Sequence, residues 1–260
     1  MKNKKSFIVI SILLLVVGLY ILFKASIWGI YSSLLNDIGD INETIYGYKN
    51  SEDISIYKKE YNDRLEYNQL SVGNYFKDFK YDADASTEFA ETYYQYDGDK
   101  KVGMFSVGTF HSLVEASETD EITFMYSIGD EPRIDFGQLF YTGFNNFIKE
   151  KKIKDDADLV KEFSKYDFDN KLGVFTSLSK LREDYSIRLV ASITLPVVDK
   201  IYYINGDFKG YMIEIINEEK EKTCFEVNLF KNNKRYILSV LSKDYDLDDM
   251  KEIISTIKLK

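Results

Sequence analysis

The chain has 260 residues, of which 45% are hydrophobic and 15% aromatic, a composition that excludes an intrinsically disordered protein. Its formal net charge is −9, and because residues 1–24 hold four lysines and no acid, the remainder carries 30 basic against 43 acidic side chains. A surface this acidic repels phosphate backbones, so we expect no nucleic-acid partner. The single cysteine, Cys224, excludes an intrachain disulfide and a cysteine-based zinc site.

An apolar run near the N-terminus, Ser6 to Phe23, contains no charged residue. As a helix, its roughly 18 residues span about 27 Å, close to the hydrocarbon thickness of a bilayer. Lys2, Lys4 and Lys5 precede the run and Lys24 closes it. Because positive charge stays in the cytoplasm, these lysines predict a cytoplasmic N-terminus and an extracytoplasmic C-terminal domain.

The end of the apolar run is a poor signal-peptidase site. A cut after Ser26 would put Lys24 at the −3 position, where a small residue is needed, so an uncleaved signal-anchor is favoured. The bias toward Lys, Ile, Asn, Tyr and Asp is typical of an AT-rich bacterial genome. We therefore predict a single-pass protein of a bacterial plasma membrane, in which residues 1–24 are the cytoplasmic lysines and the anchor and residues 6–23 cross the bilayer.

Residues 25–48 predict a juxtamembrane amphipathic helix. Its apolar positions follow a heptad-like spacing of 4 and 3, which leaves two interpretations open. One is a short stalk that forms a homodimer, and the other is a helix that lies on the bilayer or packs on its own domain. The seam consists of Ile27, Tyr31, Leu34, Ile38, Ile41 and Ile45.

Residues 49–260 are expected to form one extracytoplasmic domain, or two subdomains near 49–130 and 131–260. In the first part, a helical spacing predicts an amphipathic helix through Ile54, Tyr57, Tyr61, Leu65 and Asn68, followed by a short helix around Tyr75 to Phe79. A β-hairpin is predicted from Phe89 to Phe110 around the turn 97–100, and a third strand from Ile122 to Ile128. The two strand groups, near 88–128 and 200–241, belong either to one sheet or to two.

Further helices are predicted between the two strand groups. An aromatic stripe predicts a helix from Phe136 to Ile148, and acids start a second helix at 155–166. Leu172 to Phe175 is interpreted as a strand, after which Ser177 caps a short helix. The run Leu189–Val198 fits either a strand or the end of a helix.

The last sixty residues predict an antiparallel meander of four strands and a closing helix. Phe225, Val227 and Leu229 alternate with polar residues, which is typical of a sheet with one buried face. Asp246 is placed to cap the helix with Asp249 in a capping box, and the buried face of the helix is Met250, Ile253, Ile254 and Ile257.

This closing meander and helix cover about a quarter of the chain and resemble the PsbP-like α/β/α sandwich, in which the C-terminal helix folds back on the sheet. The resemblance implies an accessory or assembly module and carries no catalytic residue to this chain. The predicted fold class is α+β: an N-terminal transmembrane helix followed by a domain whose antiparallel sheet, or sheets, are packed by helices.

Few residues carry a pattern of chemistry. His111 is the only histidine and Cys224 is the only cysteine, and both are interpreted as structural residues. Asp244, Asp246 and Asp248 begin like a calcium loop, but its sixth position is Asp249 where glycine is needed. We predict no catalytic residue, no metal site and no cofactor.

Surface tyrosines are the remaining binding candidates, since tyrosine is large and tolerates water at interfaces. A glycan- or peptide-binding platform is hypothesised for Tyr93, Tyr94 and Tyr96, or for Tyr202 and Tyr203. The predicted function is non-catalytic binding of an envelope partner or ligand. Two alternatives stay open: an anchored envelope hydrolase that uses carboxylates, and a cytoplasm-facing subunit of a membrane complex.

Overall fold

The computed structural model describes residues 2–38, 47–111, 114, 136–170, 172–194, 198–216, 222–232, 234–241 and 245–260. Helix α1, Lys2–Ile38, joins the predicted anchor and the predicted juxtamembrane helix into one continuous helix of 37 residues. Within it, Ile12–Asn36 is long and apolar enough to cross a membrane, with a mean hydropathy of 2.1. Among the described residues it is the one helix that meets this criterion.

A single eight-stranded sheet organises the domain, in the order β1-β7-β8-β9-β10-β6-β5-β4. β1 pairs with β7 in parallel, and every other neighbouring pair in this sheet is antiparallel. Both predicted strand groups therefore lie in one sheet. Its strands are β1 Ser51–Ile56, β4 Lys80–Tyr81, β5 Ala90–Asp97, β6 Lys100–His111, β7 Val198–Gly206, β8 Gly210–Ile216, β9 Lys222–Lys231 and β10 Lys234–Leu241.

One face of this sheet is covered by the C-terminal helix and a smaller sheet. The small sheet has three strands in the order β11-β3-β2, namely β2 Arg64–Glu66, β3 Leu70–Gly73 and β11 Lys258–Leu259. Helix α5, Leu247–Ser255, begins at the capping box of Asp246 and Asp249, as predicted. Met250, Ile253 and Ile254 are fully buried against the sheet.

The opposite face is covered by three helices, α2 Phe136–Lys151, α3 Asp156–Phe163 and α4 Leu178–Thr194. Their apolar side chains form a second core with the sheet, represented by Phe147, Val160 and Ile187 on the helices and Ile201 and Ile213 on the strands. The domain is thus a sheet packed by helices on both faces. The predicted α+β class is confirmed.

The predicted amphipathic helix through Ile54 and Leu65 is wrong. Residues 51–56 and 64–66 are strands, and the burial of Ile54 and Ile56 follows the period of two that a strand imposes. Tyr57, which fits the helical spacing, is 66% exposed. The short helix predicted around Tyr75–Phe79 is also absent. These residues form bends and a turn, and their aromatic rings pack in the core between the eight-stranded sheet and α5, which we call the first core.

Other local predictions are resolved by the structure. The hairpin of β5 and β6 and the four-strand meander are confirmed, whereas Leu172 to Phe175 is a loop rather than a strand. The undecided run Leu189–Val198 continues α4 to Thr194, and β7 begins at Val198. The strand predicted at Ile122–Ile128 lies outside the described residues.

The meander differs from a one-sided sheet. Val227 faces the core beneath α5, as the alternation predicts, but Asn228 on the other face is also fully buried. Residues of both faces are covered because helices α2, α3 and α4 pack where the simple pattern predicts solvent. Alternation therefore identifies the two faces correctly without showing that the second one is covered.

We predict that Ile253→Ala destabilises the domain by about 2–5 kcal/mol, because it opens a cavity between α5 and the sheet. The matched control on the same helix is Lys251→Ala, which removes only a 3.0 Å surface ion pair with Asp248. Urea unfolding of the full chain in detergent micelles measures both variants. Equal unfolding midpoints for the two variants would contradict the packing of α5.

Candidate functional site

The clearest structural junction in the chain lies where the second half of α1 packs on α4. Tyr31 is 3% exposed there and contacts Leu181 and Tyr185 of α4. Together with the partly buried residues around them, these side chains form a small core of their own, which we call the helix junction. Its other members are Ile27, Trp28, Ile30, Leu34, Leu35, Ile38, Leu172 and Leu189.

A buried charge lies at the centre of the helix junction. Asp184 of α4 accepts hydrogen bonds from the hydroxyls of Tyr31 and Tyr166, the latter at 2.7 Å. The Nε of Arg188, one helical turn further along α4, lies 2.7 Å from Asp184 Oδ2. The two terminal nitrogens of Arg188 donate to the carbonyl oxygens of Phe168 at 2.8 Å and Asn170 at 3.0 Å.

This network is closed and strongly directional. The side chains of Asp184 and Arg188 are 3% and 10% exposed, so each charge depends on the other for compensation. Burial and the neighbouring Asp184 raise the pKa of the Tyr166 phenol, which therefore remains a neutral donor. Such a pair adds little net stability compared with apolar packing, but it allows one geometry only. We infer that the bond from Tyr31 to this pair restricts the rotation of α1 about its axis.

The end of the helix junction nearest to the apolar run of α1 is held by two further hydrogen bonds. Lys24 Nζ donates to the carbonyl oxygen of Thr176 at 3.0 Å, and Trp28 Nε1 donates to that of Leu172 at 3.1 Å. The contact with the domain therefore begins at the residue that ends the apolar run of α1.

The predicted heptad seam is used within the chain. Ile27, Tyr31, Leu34 and Ile38 contact the domain through α4 and its preceding loop, so packing on its own domain describes this part of the helix. A homodimer through the same side chains would have to displace these contacts. Ile41 and Ile45, the other two seam positions, lie outside the described residues.

Tyr202 and Tyr203 do not form a platform. They are neighbours on β7 and point to opposite faces of the sheet, where they are 4% and 6% exposed. The hydroxyl of Tyr202 donates to Glu214 at 3.2 Å, and that of Tyr203 to the carbonyl oxygen of Val160 at 3.2 Å. Both belong to the cores, because both faces of β7 are covered by packed side chains.

The tyrosines of β5 are divided between the two faces of the sheet. Tyr93 packs in the first core. Its ring centroid lies 5.6 Å from that of Phe105 and 5.1 Å from that of Tyr67. Tyr94 and Tyr96 instead contact each other, at 6.4 Å between centroids, and Tyr96 is 38% exposed. Lys101 Nζ lies 3.6 Å from the centroid of the Tyr94 ring. Tyr94 and Tyr96 are thus the predicted pair that keeps a surface for binding.

A polar cluster under α3 was missed by sequence reasoning. Arg235 Nε donates to Asn228 Oδ1 at 2.7 Å, and its terminal nitrogens lie 3.8 Å from Asp156 and 3.7 Å from Glu226. The hydroxyl of buried Tyr211 finds no hydrogen-bond partner in the described part of the chain. Because the guanidinium lies between two carboxylates, this arrangement joins α3 to β9 and β10. The signal available in sequence was an arginine within an apolar strand.

A shallow pocket at the β7–β8 hairpin is lined by three lysines, but their amines are already engaged. Lys209 Nζ lies 2.6 Å from Asp155 and 2.9 Å from Asp158. Lys231 Nζ donates to the carbonyl oxygen of Leu259 at 2.9 Å, and Lys58 lies over the ring of Phe208. These contacts stabilise the hairpin and leave little positive charge for an anionic ligand.

The two residues singled out for chemistry are placed in strands. His111 ends β6, in register with Lys234 of β10. Cys224 lies in β9, where burial and the nearby Glu226 raise the pKa of its thiol to about 12. Across the residues that the structure describes, no group of three or more His, Cys, Asp and Glu side chains could hold a metal ion.

Comparisons with known proteins do not identify a family for this chain. No family model and no curated protein matches the chain. A crystal structure from Bacteroides thetaiotaomicron VPI-5482, at 1.50 Å resolution, is similar with a TM-score of 0.27 and 11% sequence identity. The match covers 74% of this chain and 45% of that chain, so it spans about half the length of the similar structure.

We predict that Asp184→Ala destabilises the full chain by about 3–5 kcal/mol, because it leaves the Arg188 charge buried without its carboxylate. The control is Asp169→Ala, which breaks an exposed 2.7 Å pair with Lys49 and should leave the unfolding midpoint nearly unchanged, because solvent screens an exposed pair. Urea unfolding in micelles compares the two. An Asp184 variant as stable as the control would show that the network does not hold the helix junction.

We predict that Cys224 is almost unreactive in the folded protein. With a pKa of about 12, roughly one thiol in 10⁴ is ionised at pH 8, and the thiolate is the reacting species. Reaction with Ellman's reagent should therefore be orders of magnitude slower in buffer than in urea, where the thiol regains its ordinary pKa. Similar rates in the two solutions would contradict the burial of this strand.

Proposed function

We propose that this chain is a single-pass, membrane-anchored bacterial protein whose extracytoplasmic α+β domain binds a partner or ligand of the cell envelope without catalysing a reaction. One observation carries the anchoring part of the proposal. From Ile12 to Phe23, the large apolar side chains of α1 are between 45% and 65% exposed and do not join a core of the domain as far as the structure describes it. A contiguous apolar surface of this kind is typical of a segment solvated by lipid.

The position at which contact with the domain begins supports an anchor rather than a core helix. The exposed apolar part of α1 ends at Phe23, and Lys24 is the first described residue of the helix that is hydrogen-bonded to the domain. A lysine at the end of a span extends its amine to the interface, and Trp28 one turn later is a residue enriched at membrane interfaces. The domain would therefore stand directly on the bilayer surface.

The orientation rests on charge. Lys2, Lys4 and Lys5 precede the span, whereas the domain that follows carries an excess of acids. The positive-inside rule then favours a cytoplasmic N-terminus and an external domain.

Binding is supported by the surface pair of Tyr94 and Tyr96, since exposed aromatic rings are enriched at recognition sites. The layering of helices on both faces of one sheet also agrees with the proposed PsbP-like resemblance, which implies an accessory or assembly role. A role in assembly would need only a well-oriented surface.

We predict that a cysteine in the β5–β6 turn is labelled from outside the cell. In a Cys224→Ser, Asp99→Cys variant the thiol replaces an exposed turn residue, and a membrane-impermeant maleimide should label it in intact cells of a bacterial host. The matched control is Cys224→Ser, Asn3→Cys, which should be labelled only after lysis. The reverse pattern would overturn the orientation and favour the cytoplasm-facing alternative.

A further inference from the structure

The loop between α3 and α4 has a distinctive position relative to the apolar half of α1. Its segment Leu172–Ser177 lies directly before α4. Two of its carbonyl oxygens accept hydrogen bonds from α1: that of Thr176 from Lys24 and that of Leu172 from Trp28. The loop is thus held at the end of the apolar run by two contacts that are independent of each other.

The direction of α4 shows which way this loop faces. Lys24 contacts Thr176 just before α4 begins, and Tyr31 contacts Asp184 within α4, so α4 and α1 run in the same direction past each other. The seven steps from Lys24 to Tyr31 rise about 10 Å and the six helical steps from Leu178 to Asp184 rise about 9 Å, which fits two parallel helices. α4 therefore leads away from the apolar run, and in the described part of the domain the loop before it makes the hydrogen bond that lies next to the end of that run.

Phe175 lies at this place with its ring in solvent. Its side chain is 69% exposed, the largest value for any large hydrophobic residue whose side chain the structure describes. The residue beside it, Thr176, is the one bonded to Lys24. An apolar ring held at the level of the last lysine of a span is placed where lipid headgroups meet acyl chains.

We propose that the loop Leu172–Ser177 is a second membrane contact, in which Phe175 inserts into the interfacial layer of the bilayer. The occupant is a lipid surface, because the loop is continuous with the end of the lipid-solvated part of α1 and both Lys24 and Trp28 are of the kind found at that interface. This inference rests on the proposed anchoring of α1. Its consequence is that the domain is held at two points and cannot pivot freely on a single helix.

Tryptophan quenching by acyl-brominated phosphatidylcholine tests the contact, because bromine quenches only rings that reach the lipid. The chain has one tryptophan, which Trp28→Phe removes while keeping an aromatic ring. In that background, Phe175→Trp reports the loop and Tyr20→Trp reports the span. Phe89→Trp, 56% exposed directly before β5, is the matched surface control. The full chain is reconstituted into vesicles with and without the brominated lipid.

We expect brominated lipid to reduce the tryptophan emission of the probes at positions 20 and 175. The emission spectrum of the probe at 175 should also be blue-shifted, and the probe at 89 should show neither effect. Quenching at 20 without quenching at 175, or equal quenching at 175 and 89, would overturn the loop contact and leave the anchor intact. No quenching at 20 would overturn the anchor and with it this inference. A Cys224→Ser, Phe175→Cys variant carrying an environment-sensitive fluorophore repeats the measurement with Trp28 and its bond to Leu172 retained.

Discussion

The two halves of helix α1 have different surroundings, and the position of the domain relative to the helix follows from that difference. The apolar side chains of α1 from Ile12 to Phe23 have no partner in the described part of the domain, whereas those from Ile27 to Ile38 pack around α4. The change takes place across Lys24, whose amine is bonded to the domain. Because the helix is continuous through this point, the direction in which the apolar half leaves the domain is determined by how the second half is packed.

The packing of that second half depends on Asp184. Apolar contacts alone let neighbouring helices slide and rotate, since several registers bury similar areas. A buried carboxylate bonded to Tyr31, Tyr166 and Arg188 removes this freedom, because each donor must reach the same two oxygens. Arg188 in turn holds the carbonyl oxygens that follow α3. The network therefore transmits the position of α1 to α3 and α4, and through their core to the sheet.

Sequence reasoning succeeded where one local signal decides the structure. The apolar run, the meander, the capping box of Asp246 and the aromatic stripe of α2 are all read from short windows. It failed at Ile54, where tyrosines at helical spacing predict a helix but the residues form a strand that pairs with residues 150 positions later. The site was harder to predict: Tyr202 and Tyr94 look alike in sequence, and both lie on strands one place from an edge of the sheet. Only the packing on each face shows that Tyr202 is buried in a core whereas Tyr94 stays partly exposed beside Tyr96. Asp184 and Arg188 give no signal beyond a common i, i+4 pair.

The sheet order also relates the anchored end of the domain to its exposed tyrosines. β7, which shares a core with α4, and β5, which carries Tyr94 and Tyr96, are separated by five strand steps, or about 24 Å across the sheet. The strands between them are paired without a break, so the sheet acts as a rigid spacer. A domain that pivoted on a flexible linker would present this edge at every angle relative to the axis of α1. Because the domain is tied to α1 through a directional buried network, Tyr94 and Tyr96 keep a restricted orientation relative to that axis, which reduces the orientational freedom that has to be lost when this edge binds.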